Sequence, residues 1–160
     1  MALCMESGTP RRDTAWAMSE ENVEIVRRHV EAWNGCDLTT WLATFHPDAE
    51  IDWSRSRGPH KGVYRGHGEL EVFWDAFWST FEDIQLEVHG LTEVGSEVVV
   101  PNTAHIRGRQ GIEVIARSTL VFTVENGRAT RERLFQEQAE ALKAAGLSEV
   151  GDVGGERGDR

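Results

Sequence analysis

This sequence predicts an α+β fold, a curved antiparallel sheet wrapped around a long helix, in the order α-α-β-α-β-β-β-β. Three observations carry the expectation. Leu70, Phe73, Trp74, Phe77, Trp78 and Phe81 recur at helical spacing and form one wide aromatic face. After them come alternating segments separated by short glycine turns, the pattern of an antiparallel meander. No internal repeat or linker interrupts the chain, so one domain is expected.

The first helix is expected to start at Ser19, a good N-cap followed by Glu20 and Glu21, which suit the positive end of the helix dipole. Val26, Val30 and Trp33 form its apolar stripe, and His29 falls inside that stripe. Asn34-Gly35 ends it, Asp37 caps a second helix through Leu38, Trp41, Leu42 and Phe45, and His46-Pro47-Asp48 stops that one. A strand is predicted over 49–53, then a glycine-punctuated loop to Gly66. The aromatic third helix buries about 150–250 Å² per ring, so it needs a broad apolar partner such as a curved sheet. That sheet is supplied by Ile84, Leu86 and Val88, then by strands over 97–107, 112–124 and 129–138. The turns between them are Gly95-Ser96, Gly108–Gly111 and Glu125-Asn126-Gly127.

With 39% hydrophobic and 28% charged residues, the composition is that of a soluble globular protein. The net charge of −10 and the lack of a dense Lys/Arg cluster argue against nucleic-acid and anionic-membrane partners. No apolar run approaches the roughly 18 residues of a membrane span. Two cysteines, Cys4 and Cys36, build neither a disulfide framework nor a zinc site, which fits a cytoplasmic protein. Residues 1–17 read as a flexible extension, 18–149 as the domain, and the glycine- and charge-rich 150–160 as a disordered tail.

The W-N-G-C-D turn, the F-H-P-D-A-E-I-D-W segment, the G-V-Y-R-G loop, the aromatic third helix and the meander together span about 18–147. In these the chain resembles the SnoaL-like branch of the nuclear-transport-factor-2-like superfamily, the ketosteroid-isomerase-like cone. The resemblance implies one hydrophobic pocket inside the cone and a homodimer. In the isomerases a first-strand carboxylate moves a proton beside a carbonyl, while a tyrosine and a protonated aspartate stabilise the enolate oxygen. Laid over this sequence, the tyrosine position holds His29, the carboxylate position Trp53, and the aspartate position Ser118 or Thr119. All three depart from the isomerase pattern, so steroid isomerisation is not expected.

Two titratable groups remain as proton-transfer candidates. His29 carries an imidazole that can exchange a proton near neutral pH; its plain alternative is a core histidine bonded to a backbone carbonyl. Asp52 lies one residue before the isomerase carboxylate position, and a one-residue offset in a strand turns a side chain to the other face unless a bulge intervenes. Asn102 shares a register with Val100, Ala104 and Ile106, where a ligand oxygen could satisfy it. Trp53, Tyr64 and Trp74 are expected to wall the pocket, or else to be plain core.

The spacing of His46, Asp48, His60 and His67 matches no metal motif, and no phosphate loop or nucleophile elbow is present, so no metal or cofactor is expected. The readings in play are a cofactor-free acid–base isomerase, cyclase or dehydratase; a non-catalytic module that binds a small apolar or aromatic ligand; and an accessory or dimerisation domain. Val99, Ile115 and Val121, on the face opposite the apolar register, suggest the dimer surface.

Overall fold

The computed structural model describes residues 14–146, with side chains from residue 20 onward. The N-terminal and C-terminal segments assigned from the sequence therefore lie largely outside the described residues. Helix α1 (Thr14–Asn34) begins earlier than expected, and Ser19 lies within it instead of capping it. The residues before Ser19 (Ala15, Trp16, Ala17, Met18) include nothing that breaks a helix.

Helix α2 (Leu38–Ala43) is capped as predicted, the Asp37 carboxylate accepting from the Thr40 N–H. Strand β1 (Phe45–Asp52) starts sooner than expected and takes Phe45 out of the helix. It is irregular between Phe45 and Glu50, around Pro47, which cannot donate to a ladder. A short strand β2 (Val63–Arg65) pairs with β1 where the sequence reads as loop. Helix α3 (Gly66–Thr80) presents Leu70, Phe73, Trp74 and Phe77 to the core, all buried, while half-buried Phe81 opens the next strand.

The meander follows as β3 (Phe81–Val88), β4 (Thr92–Val94), β5 (Glu97–Gly108), β6 (Glu113–Glu125) and β7 (Arg128–Phe135). The sheet order is β2-β1-β7-β6-β5-β3, with β4 also on β5. Every pairing is antiparallel except one: β1 runs parallel to β7. A hairpin turn forces antiparallel pairing, but β1 and β7 are separated by α3 and the whole meander, so no turn constrains their direction.

One face of this sheet closes around α1, α2 and α3 as the principal core, in which Trp33, Trp41, Phe73 and Phe77 form a continuous aromatic cluster. Asn34 fastens α1 to the edge strand: its side-chain amide donates to the Leu86 carbonyl (3.0 Å) and accepts from the Leu86 N–H (2.8 Å). The other face carries a helix the sequence reading did not contain, α4 (Gln138–Ala144). Ala141 of α4 packs with Val99, Val121 and Phe135 into a second, smaller core. Two of the three residues expected at an exposed dimer surface, Val99 and Val121, are thus covered by α4. Ile115 alone of the three is exposed.

Candidate active site

Between the helices and the concave sheet face lies a cavity of about 310 Å³. Its space comes from small side chains where the sheet curves: Ala104 faces Ala116 across β5 and β6, and Asn102 faces Ser118. Bulkier residues at those four positions would fill the cone. The helix side is aromatic, with Trp33, Trp41, Phe73 and Phe77, and Trp53 closes it just beyond β1.

Two titratable groups are buried in this wall. His29 reaches in from α1 and Glu132 from β7, each only 3% exposed. His29 Nε2 lies 3.3 Å from Glu132 Oε1. The Trp41 indole N–H donates to the same Nε2 (3.2 Å), and His29 Nδ1 lies 3.1 Å from the Thr44 hydroxyl. The rings of Trp41, Phe45 and Phe122 surround the imidazole at 4.8–5.5 Å. The Trp53 indole N–H points to the other Glu132 oxygen at 3.4 Å, a long contact. His29 is therefore held by side chains and by a carboxylate, not by a backbone carbonyl.

Asn102 supplies a second polar point. Its amide donates to the Val100 carbonyl (3.1 Å) and its oxygen accepts from Ser118 (3.4 Å). A side-chain amide has two hydrogens, so one remains for a ligand oxygen.

Of the residues predicted from the sequence, His29, Trp53 and Asn102 line the cavity, and Asp52, Tyr64 and Trp74 do not. Asp52 alternates with the inward Ile51 and Trp53 and is tied down outside by Ser54, whose N–H (3.0 Å) and hydroxyl (2.6 Å) both donate to it. The structure does not bring Asp52 and His29 together, because no bulge restores the one-residue offset at this end of β1. Tyr64 packs on Phe73 and donates to the His60 carbonyl (2.9 Å). Trp74 stands behind the wall, against Trp33 and Trp41.

Glu132 is the functional candidate that sequence reasoning missed. It sits in the run Arg128–Phe135, where charges dominate, yet it shares a register with the inward-facing Leu134. The alternation Arg128, Thr130, Glu132, Leu134 has one apolar member, and the register shift beside Val124 is invisible in sequence, so no local signal marked Glu132 as inward. Among the described residues no three His, Cys, Asp or Glu side chains converge as a metal site; His60 bonds Thr80, and His67 lies against the Phe45 carbonyl.

Asp52 has a structural consequence instead. Burial opposes its charge, but the Ser54 hydrogen bonds and the nearby Arg55 and Arg131 outweigh it and hold its carboxyl below the usual range. A depressed folded-state value stabilises the fold above the unfolded carboxyl's range and loses that contribution as pH falls through the folded value. Asp52→Asn is therefore expected to flatten the acid side of a stability–pH curve from urea melts, and to leave the cavity chemistry unchanged. An unaltered acid limb would contradict this.

The SnoaL-like domain model matches residues 26–132, which runs from the start of the His29 stripe to Glu132. The chain belongs to the SnoaL-like domain family. Solved structures agree in fold. A nuclear-transport-factor-2-like protein of unknown function from Burkholderia pseudomallei K96243 is 26% identical, with a TM-score of 0.66 over 77% of this chain and 95% of that one. TerC, co-crystallised with polyporic acid, is 20% identical, with a TM-score of 0.66 over 78% and 98%. A protein described as a SnoaL-like polyketide cyclase, from Jannaschia sp. CCS1, is 20% identical, with a TM-score of 0.63 over 79% and 92%. No curated protein matches the chain. This SnoaL-like chain shares the cone, and its particular cavity residues must be read on their own chemistry. No described helix is long and apolar enough to cross a membrane.

Proposed function

We propose that this protein is a cofactor-free acid–base catalyst acting on a small, largely apolar molecule that bears a carbonyl or hydroxyl oxygen. The observation that carries this reading is the buried His29–Glu132 pair, 3.3 Å apart, lining an otherwise apolar aromatic cavity. A polar pair desolvated this fully is seldom placed for stability, because well-packed apolar residues would serve as well or better. In a water-poor cavity its interactions with a reacting oxygen or carbon acid are strengthened.

In this reading the pair removes a proton beside a carbonyl and returns it elsewhere, as isomerisation, cyclisation or dehydration requires. The free Asn102 N–H steadies the oxygen that gains charge, and Trp53 with the helix aromatics excludes water. Glu132 takes the part that the sequence suggested for Asp52. If the chain is a homodimer, the exposed Ile112, Val114 and Ile115 offer apolar surface for it, in place of Val99 and Val121.

A non-catalytic binding module is the second reading, favoured by the aromatic walls and by the co-crystallisation of TerC with polyporic acid. One experiment separates the two. Cyclic and aryl ketones are screened for binding by quenching of the tryptophan fluorescence, since Trp33, Trp41 and Trp53 line the cavity. Bound ketones are then followed by NMR in heavy water for deuterium uptake at the α-carbon. Exchange above the buffer rate that disappears in His29→Phe supports catalysis. Ketones that bind without exchanging would leave the binding module.

A further inference from the structure

Thr44 is fully buried where α2 ends, and its backbone carbonyl accepts from the Ala129 N–H of β7 (2.8 Å), so its position is fixed from both sides. Its hydroxyl has one hydrogen, and the 2.6 Å approach to the Trp41 carbonyl commits that hydrogen there. Toward His29 the same oxygen can then only accept. Nδ1 must be the protonated nitrogen of the ring, since the other tautomer would set two lone pairs against each other at 3.1 Å.

This has a consequence at the opposite nitrogen. In the neutral ring Nε2 is a lone pair, and the Trp41 N–H already points at it. Glu132 Oε1 is buried, 3.3 Å from that nitrogen, and has no hydrogen-bond donor among the described residues. A carboxylate oxygen facing a lone pair at 3.3 Å, too close for anything but a hydrogen between them, is repulsive. A proton on Glu132 Oε1 removes the repulsion: the carboxyl then donates to Nε2 and shares its lone pair with the Trp41 N–H, whereas a proton on Nε2 itself would face that indole N–H.

We infer that Thr44 is a positioning residue that fixes the His29 tautomer, so that His29 Nε2 and Glu132 share one exchangeable proton facing the cavity. Among the described residues, the rings packed against the imidazole are those of Trp41, Phe45 and Phe122, none of them titratable. The pair then carries no net charge, which is how a histidine and a glutamate can both be 3% exposed. It can give that proton to a ligand oxygen or, having given it, take one from a carbon acid. That use rests on the acid–base reading above, but the tautomer does not.

The test needs no substrate. The full chain is labelled with ¹⁵N in its six histidines, and His29 is assigned by the signal lost in His29→Phe. Ring nitrogen shifts report which nitrogen carries hydrogen. The wild type is expected to show a protonated Nδ1, preferred by about tenfold, the ratio one ordinary hydrogen bond supports. Thr44→Ser, which keeps the hydroxyl, preserves that preference. Thr44→Val, of the same shape, moves hydrogen toward Nε2 and Glu132. Should the valine variant fail to fold, Thr44→Ala gives the same readout with volume only removed. A wild-type ring protonated only at Nε2, or a tautomer indifferent to loss of the hydroxyl, overturns the inference. Correct tautomers without ketone exchange would sink the catalytic reading and leave this one standing.

Discussion

Glu132→Gln is expected to lower ketone deuterium exchange by about 10²-fold or more, the usual scale for losing an acid or base, with no loss of thermal stability. Glutamine keeps the volume of Glu132 and can still reach His29 Nε2 with its amide hydrogens. It cannot accept or release a proton, so the shared proton on that axis is gone. The stability side of the prediction has the opposite sign from an ordinary core mutation. Because the pair carries no net charge, the glutamine amide donates to His29 Nε2 in place of the shared proton and leaves no buried charge unpaired, so the stability lost when one partner of a buried ion pair is removed is not incurred. Activity lost while the melting temperature holds or rises therefore marks Glu132 as functional. Exchange that persists in the glutamine variant would remove Glu132 from the mechanism. Glu132→Ala is a poorer probe, since it also leaves the Trp53 indole without its partner.

Phe73→Ala should produce the largest fall in stability. The side chain is 1% exposed and sits at the centre of the aromatic core, with the Trp53, Tyr64 and Phe77 rings all at 5.0 Å and Trp33 and Trp41 at 6.3 Å. Removing a buried phenylalanine costs about 3–5 kcal/mol, from lost transfer energy and the void left behind. For a chain of this size that is a drop in melting temperature on the order of 10–15 °C. Rigid rings on every side collapse poorly into the gap, which favours the upper end. Val72→Ala makes the control: it is the neighbouring residue on the same helix but 60% exposed, and should change stability by about 0.5 kcal/mol or less. Calorimetry showing equal effects for the two would refute the account of the core.

How much of this was readable beforehand depended on the range of the forces involved. Helix α3 was legible because Leu70, Phe73, Trp74, Phe77 and Trp78 repeat at 3.6-residue spacing, although the sixth member of the pattern, Phe81, falls in β3. The hairpins from β4 to β7 were legible because their turns hold Gly95, Gly111, Asn126 and Gly127, residue types that take the positive φ found there more easily than others. His29 was legible as an odd polar member of an apolar stripe. Helix α4 was not, since seven residues with one buried alanine leave little periodic signal.

The candidate site divides along the same line. By itself the sequence determined the cone, the aromatic face of α3, the inward register of Asn102 and the presence of His29 on the apolar side of α1. Only the tertiary structure decided which carboxylate meets that histidine. Asp52 and Glu132 both lie on strands, and the parity of a single residue sets whether each faces the cavity or the outside. That parity follows from the pairing of β1 with β7, strands joined by no turn and running parallel. Local sequence sets periodicity within an element, but the register between distant strands is set by packing across the whole sheet, so Asp52 faces outward and Glu132 meets His29.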